Sequence, residues 1–165
     1  MKKRNLFLFI FGFTLLKLFA DDPEPDQNTL KTFKNVLKME IEVNLIQGAE
    51  KVAWNSKGFK YTIPGRAVIV KIEGNNMRMY GSFTPYYDTK GSLILLAQGQ
   101  IFILSASGKG FNYFSYFKTI PAVLGERLVF FPLGYVEHNP EGTAANIELD
   151  IQILSFESQV KENNK

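Results

Sequence analysis

The chain has 165 residues, 45% of them hydrophobic and 14% aromatic, with a formal net charge of +3 and no cysteine. Without cysteine there are no disulfides and no thiolate metal sites, so an apolar core has to hold the fold. The positive charge belongs to the first twenty residues: without Lys2, Lys3, Arg4 and Lys17 it becomes −1, which leaves no basic excess to neutralise a phosphate backbone and excludes nucleic acid as the expected partner.

The start, MKKRNLFLFIFGFTLLKLFADDPEPD, has the layout of a secretory signal peptide. A basic Lys2-Lys3-Arg4 precedes an apolar run from Leu6 to Leu16, and Ala20 precedes an acidic, proline-containing stretch. As a helix, Leu6 to Ala20 would reach about 22 Å, short of the ~30 Å hydrocarbon core of a bilayer. Cleavage after Ala20 is the expectation, with an uncleaved anchor as the alternative because Leu18 and Lys17 suit the peptidase poorly. No cysteine follows the run, so a lipid anchor there is excluded. The chain is thus expected to be exported to the periplasm or beyond, with no membrane insertion after cleavage.

Residues 21–36 are expected to be a flexible leader, with a helical turn or two over 29–37 where Leu30, Phe33 and Leu37 fall at helical spacing. From Leu37 the period becomes two. Leu37, Met39, Ile41, Val43 and Leu45 alternate with Lys38, Glu40, Glu42 and Asn44, and at the other end Ile147, Leu149, Ile151 and Ile153 alternate with Glu148, Asp150 and Gln152. Each is the pattern of a strand with one face in the core and one in water. Residues 157–165 read as a disordered tail.

Between these strands, NSKG (55–58), DTKG (88–91) and SGKG (107–110) each place Gly where a hairpin loop needs φ > 0. IPGR (63–66) fits a type II turn and EGNNM (73–77) a primed turn. The strands between turns are expected at about 51–54, 59–63, 67–73, 77–84, 92–98, 100–105, 111–118, 127–131 and 145–154. LILLA and LVFF, apolar on both faces, read as central strands or a strongly curved sheet. The fold class is all-β: residues 37–156 form one antiparallel β-sandwich, or a flattened barrel, of about eight to nine strands. A faint echo between KGFKYTIPG (57–65) and KGFNYFSYFKTIPA (109–122) fits either a duplicated half-sandwich or two hairpins built alike.

The inventory for catalysis is thin. His138 is the lone histidine, in the turn-rich loop VEHNPEGT, so a second imidazole for zinc or iron is absent. SYFK (115–118) matches S-x-x-K, but on a strand Ser115 and Lys118 point to opposite faces. No G-x-S-x-G, Walker or G-x-G-x-x-G pattern occurs. A carboxylate pair of the glycosidase kind could be drawn from Asp88, Glu126, Glu137 and Glu141, residues of a type found on every loop surface. No cofactor is expected. LLAQGQIFI and FFPLGYVEHNP have the look of signatures, but neither carries a chemistry.

The informative segment is FNYFSYFKTIP, residues 111–121. On a strand, Phe111, Tyr113 and Phe117 share one face, expected to point to the core, and Phe114 and Tyr116 the other. Either all five rings serve the core, or Phe114 and Tyr116, with Tyr86, Tyr87 and Trp54, form an exposed platform for a partner. The expectation between these is a split, with Phe114 buried and Tyr116 partly exposed. An exported, non-catalytic sandwich that binds an envelope protein follows as the expected function. A carbohydrate-binding module on the same rings is the first alternative, and a small carboxylate hydrolase or a barrel carrying an apolar ligand the weaker ones.

Overall fold

A computed structural model of the protein describes Leu30 and residues 35–47, 51–105, 108–134 and 145–156. The expected signal peptide, most of the expected leader, Phe33, the loop of His138 with Glu137 and Glu141, and the expected tail lie outside the described residues. Among the described residues there are eight strands: β1 (Leu37–Gln47), β2 (Lys51–Thr62), β3 (Val68–Glu73), β4 (Met77–Tyr87), β5 (Leu93–Leu104), β6 (Phe111–Pro121), β7 (Arg127–Phe130) and β8 (Ala145–Ser155). They form two four-stranded sheets, in the orders β2-β1-β8-β7 and β3-β4-β5-β6, and the pairings are antiparallel. The sheets are separate, so the fold is a sandwich and not a barrel. Among the described residues no helix is long and apolar enough to cross a membrane.

Alternation in the first and last strands sets the centre of one sheet. Met39 lies opposite Ile153, Ile41 opposite Ile151, Val43 opposite Leu149 and Leu45 opposite Ile147, so the apolar rows of β1 and β8 meet on the same face. Both rows are buried against Val70 and Ile72 of β3, Met79 and Phe83 of β4, and Leu95 and Ile101 of β5. Each such side chain contributes about 1.5–3 kcal/mol by leaving water. A satellite cluster of Leu30, Val36 and Phe156, with Tyr61 and Ile63 packed on it, ties the entry of β1 to the exit of β8. The Phe156 N–H donates to the Val36 carbonyl at 3.0 Å. Leu37 opens β1 and does not close a helix, and Asn35 before it has φ 60°.

Two of the three Lys-Gly connections are turns. At 88–91 Gly91 has φ 82°, and the Asp88 carboxylate accepts the N–H groups of Lys90 and Ser92, each at 2.8 Å. Gly108 and Gly110 also have positive φ in the turn before β6. The third, NSKG, is not a turn. Asn55, Ser56, Lys57 and Gly58 pair with Asn44, Val43, Glu42 and Ile41 inside β2. The unbroken ladder offered by β1 overrides a local turn preference. For the same reason the two segments expected at 92–98 and 100–105 are one strand, β5. The 63–66 turn is present, with Gly65 at φ 86° and the Arg66 N–H on the Ile63 carbonyl. The β3–β4 hairpin closes through Gly74 and Met77, but Asn75 and Asn76 do not have positive φ, so the turn is not a primed one.

LVFF proves to lie mostly in β7, an edge strand and not a central one. The echo at 57–65 and 109–122 falls at unlike positions: Gly58 is mid-strand in β2, whereas Gly110 precedes β6. Duplication has no support in the topology.

Candidate binding site

The strand β6 is the edge of its sheet, paired on one side with β5. Residues opposite one another in an antiparallel pair share a face. Tyr116 lies opposite Gly99 and Phe114 opposite the buried Ile101, so Phe114 and Tyr116 are on the face turned toward the other sheet. Phe111, Tyr113 and Phe117 are on the outer face, opposite Leu104, Phe102 and Gln98. This reverses the expected assignment of faces. Neither set is buried: the five rings are between 39% (Tyr116) and 60% (Phe117) exposed. Phe114, expected in the core, is also exposed.

The reason is the shape of the facing sheet. It ends in β7, four residues long, which is too short to roof an eleven-residue neighbour. The two sheets meet at this flank through one chain of rings. Phe83 contacts Phe130 edge to face at 5.7 Å, and Phe130 of β7 reaches Tyr116 at 5.8 Å. Beyond β7, Pro132 packs over Gly99, where a Cβ would come within 2.5 Å of the proline Cβ.

On the outer face the rings continue inward across the sheet. Tyr113 lies 5.0 Å from Phe102 of β5, which meets Tyr80 of β4 edge to face at 6.3 Å. The Lys71 ammonium is 5.8 Å from the Tyr80 ring, within reach of a cation–π attraction. Gln98 and Gln100 stand beside this row on the same face of β5. Tyr80 and Phe102 were not among the residues expected at the site. Their signal was present, since both alternate with core residues along their strands, but period alone does not tell a solvent face from a covered one.

The remaining candidates lie elsewhere. Tyr86 and Tyr87 are exposed at the end of β4, and β5 stands between them and β6. Trp54 is packed against the main core from β2, at the opposite edge of the sheet from the β7 that meets β6. So Phe114 and Tyr116 are together with Phe111, Tyr113 and Phe117, and apart from Tyr86, Tyr87 and Trp54.

The outer face of the other sheet carries the charges. Glu42 lies opposite both Lys57 and Asp150, and Glu40, Arg127 and Gln152 complete a shallow polar depression with them. Lys38 donates to Glu40 at 2.7 Å; that hydrogen bond, with the charges of Lys38 and Lys57, holds the Glu40 carboxyl below its ordinary range despite partial burial. Glu148 is shifted the other way, by burial first and by Asp150 second, with Asn44 opposing. Glu40 is paired with Lys38 and Lys57, and Asp150 accepts from the Asn44 amide at 3.4 Å; among the described residues no three His, Cys, Asp or Glu side chains are grouped to hold a metal. Asp88 serves its turn, and Glu126 closes the turn that begins at Val123. No family model, no characterised protein and no solved structure matches this chain.

Proposed function

We propose that this is an exported, non-catalytic β-sandwich that works by binding another protein along the edge strand β6, as an accessory of the bacterial cell envelope. One observation carries the reading: β6 presents five aromatic rings to solvent on its two faces, and among the described residues no strand pairs with its outer edge. Strand addition to such an edge takes affinity from main-chain hydrogen bonds and selectivity from alternate side chains, and both are on offer here. Tyr and Phe supply large contact areas at low conformational cost. The basic and apolar start of the chain, followed by acidic residues, supports export.

Affinity capture from an envelope extract, with the parent protein and with Ser115→Pro as baits, tests the reading. A partner retained by the parent and lost with the variant is expected. A full set of partners retained equally by both baits removes β6 as the binding edge.

A second reading has its own observation. The row Tyr80, Phe102 and Tyr113, with Gln98 and Gln100 beside it, suits the apolar face and hydroxyl rim of a sugar. Binding to insoluble polysaccharide that is lost in Tyr113→Ala and kept in Ser115→Pro would favour it.

A further inference from the structure

We infer that the partner taken by β6 is a second copy of this chain, joined edge to edge across a two-fold axis at Ser115. The inference rests on the proposal that β6 is a binding edge and specifies its occupant.

The phase of the ladder can be read from its two ends. The Ala122 N–H donates to the Leu93 carbonyl at 2.9 Å, and the Ser105 N–H to the Gly110 carbonyl at 3.0 Å. Hydrogen-bonded and non-hydrogen-bonded pairs alternate along an antiparallel ladder. In the β5–β6 register the even-numbered residues of β6 therefore bond inward to β5. Phe111, Tyr113, Ser115, Phe117 and Thr119 aim their backbone N–H and carbonyl groups outward, and Pro121 ends the row of donors.

Around Ser115 the sequence is nearly palindromic: Phe114 is matched by Tyr116, Tyr113 by Phe117, and Asn112 by Lys118. An antiparallel pairing of two copies centred there joins outward-facing residues to outward-facing residues. It sets Phe114 against Tyr116 and Tyr113 against Phe117, twice each, with the small Ser115 at the axis. Lys118 meets Asn112, so no like charges oppose one another. Centring on Phe114 instead would set Ser115 against Tyr113 and Asn112 against Tyr116. A self-complementary strand is what an isologous two-fold contact requires.

The ring surface is of the right scale. At about 200 Å² per aromatic side chain, the exposed fractions of the five rings amount to roughly 500 Å² per chain. Two copies thus offer up to ~1,000 Å² of ring surface, the scale of a specific interface, of which the edge pairing covers the part beside the axis and to which it adds the β6 backbone. The other edges carry protections that β6 lacks. A bulge at Ala53 interrupts β2, β3 is six residues long with a Lys71–Glu73 ion pair at 3.1 Å, and β7 has four residues. Lys118 is the lone charge in the eleven residues of β6.

The test uses full-length chains and the absence of native cysteine. Light scattering over the micromolar range is expected to give twice the chain mass. Ser115→Cys should then form a reducible dimer under oxidising conditions, because opposed Cα atoms about 5.5 Å apart are within disulfide reach. Asn112→Cys should not, since its two copies are offset by about 20 Å along the ladder. Ser115→Pro removes an outward donor and no bond to β5, and should be monomeric with an unchanged circular dichroism spectrum. A monomeric parent overturns the inference, as does a dimer indifferent to Ser115→Pro or one in which Ser115→Cys fails to cross-link. If the parent is monomeric yet Ser115→Pro loses a captured protein, β6 remains a binding edge for a different occupant. Loss of neither removes both proposals.

Discussion

Gly99 and Pro132 are in contact where a side chain on the glycine would not fit: a Cβ at Gly99 would lie 2.5 Å from the Pro132 Cβ and 3.0 Å from its Cα. This joins the segments LLAQGQIFI and FFPLG, far apart in the chain, into one structural unit. Pro132 covers the inner face of β5 where Gly99 leaves a gap, next to the Tyr116 that pairs with Gly99. Strand propensity would favour Ala over Gly at this position. The contact reverses the sign, and Gly99→Ala is expected to destabilise by about 1–3 kcal/mol. Urea denaturation checks it, and Pro132→Gly in the same chain should recover part of the loss.

The sandwich core and the aromatic edge should respond differently to truncation. Ile151 is fully buried and sits between Ile41 and Leu128, so Ile151→Ala is expected to cost about 2–5 kcal/mol. Phe114→Ala and Phe117→Ala remove rings that are half in water, and should stay within about 1 kcal/mol when measured on the isolated chain. Equal losses at all three positions would mean that β6 is covered.

Phe130 is the one buried ring at the flank where β6 and β7 face each other, between Phe83 and Tyr116. Phe130→Ala should cost about 3–5 kcal/mol. Tyr116→Ala, which removes the exposed end of the same chain of rings, should cost far less. Thermal unfolding of the two variants side by side gives the comparison.

Two carboxyls on the other sheet predict opposite pH dependences. Burial, and Asp150 second, raise Glu148 above its ordinary range. A raised folded value means the native chain keeps the proton longer than the unfolded one. This contribution to stability is therefore full at low pH and is lost as pH rises through the folded value. Glu148→Gln should gain up to about 0.5 kcal/mol at neutral pH, with the gain gone below the ordinary glutamate value of about 4.3. Glu40, lowered first by its hydrogen bond from Lys38, contributes above the unfolded value and loses that contribution as pH falls through the folded one. Glu40→Gln should accordingly lose stability at neutral pH and match the parent in strong acid. Denaturation midpoints at the two extremes test both signs.

The all-β class was legible in the sequence because alternation is local. Leu37 to Leu45 and Ile147 to Ile153 each declare a one-sided strand, and the two prove to be neighbours with their apolar rows in register. Turns were legible where the residue types close a hydrogen bond by themselves, as Asp88 does for Lys90 and Ser92. NSKG was misread because β2 carries its ladder with the preceding strand β1 straight through residues 55–58, and a continued strand pairing outweighs a local turn preference. The order of strands decided the rest. Phe111 to Phe117 read as candidates for the core because two apolar faces ordinarily mean two covered faces. Which faces are covered depends on what lies opposite, and β6 stands at an edge facing a strand of four residues. That placement, with the separation of Tyr86, Tyr87 and Trp54 from the other rings, arises from contacts between residues distant in the chain, which no local pattern encodes.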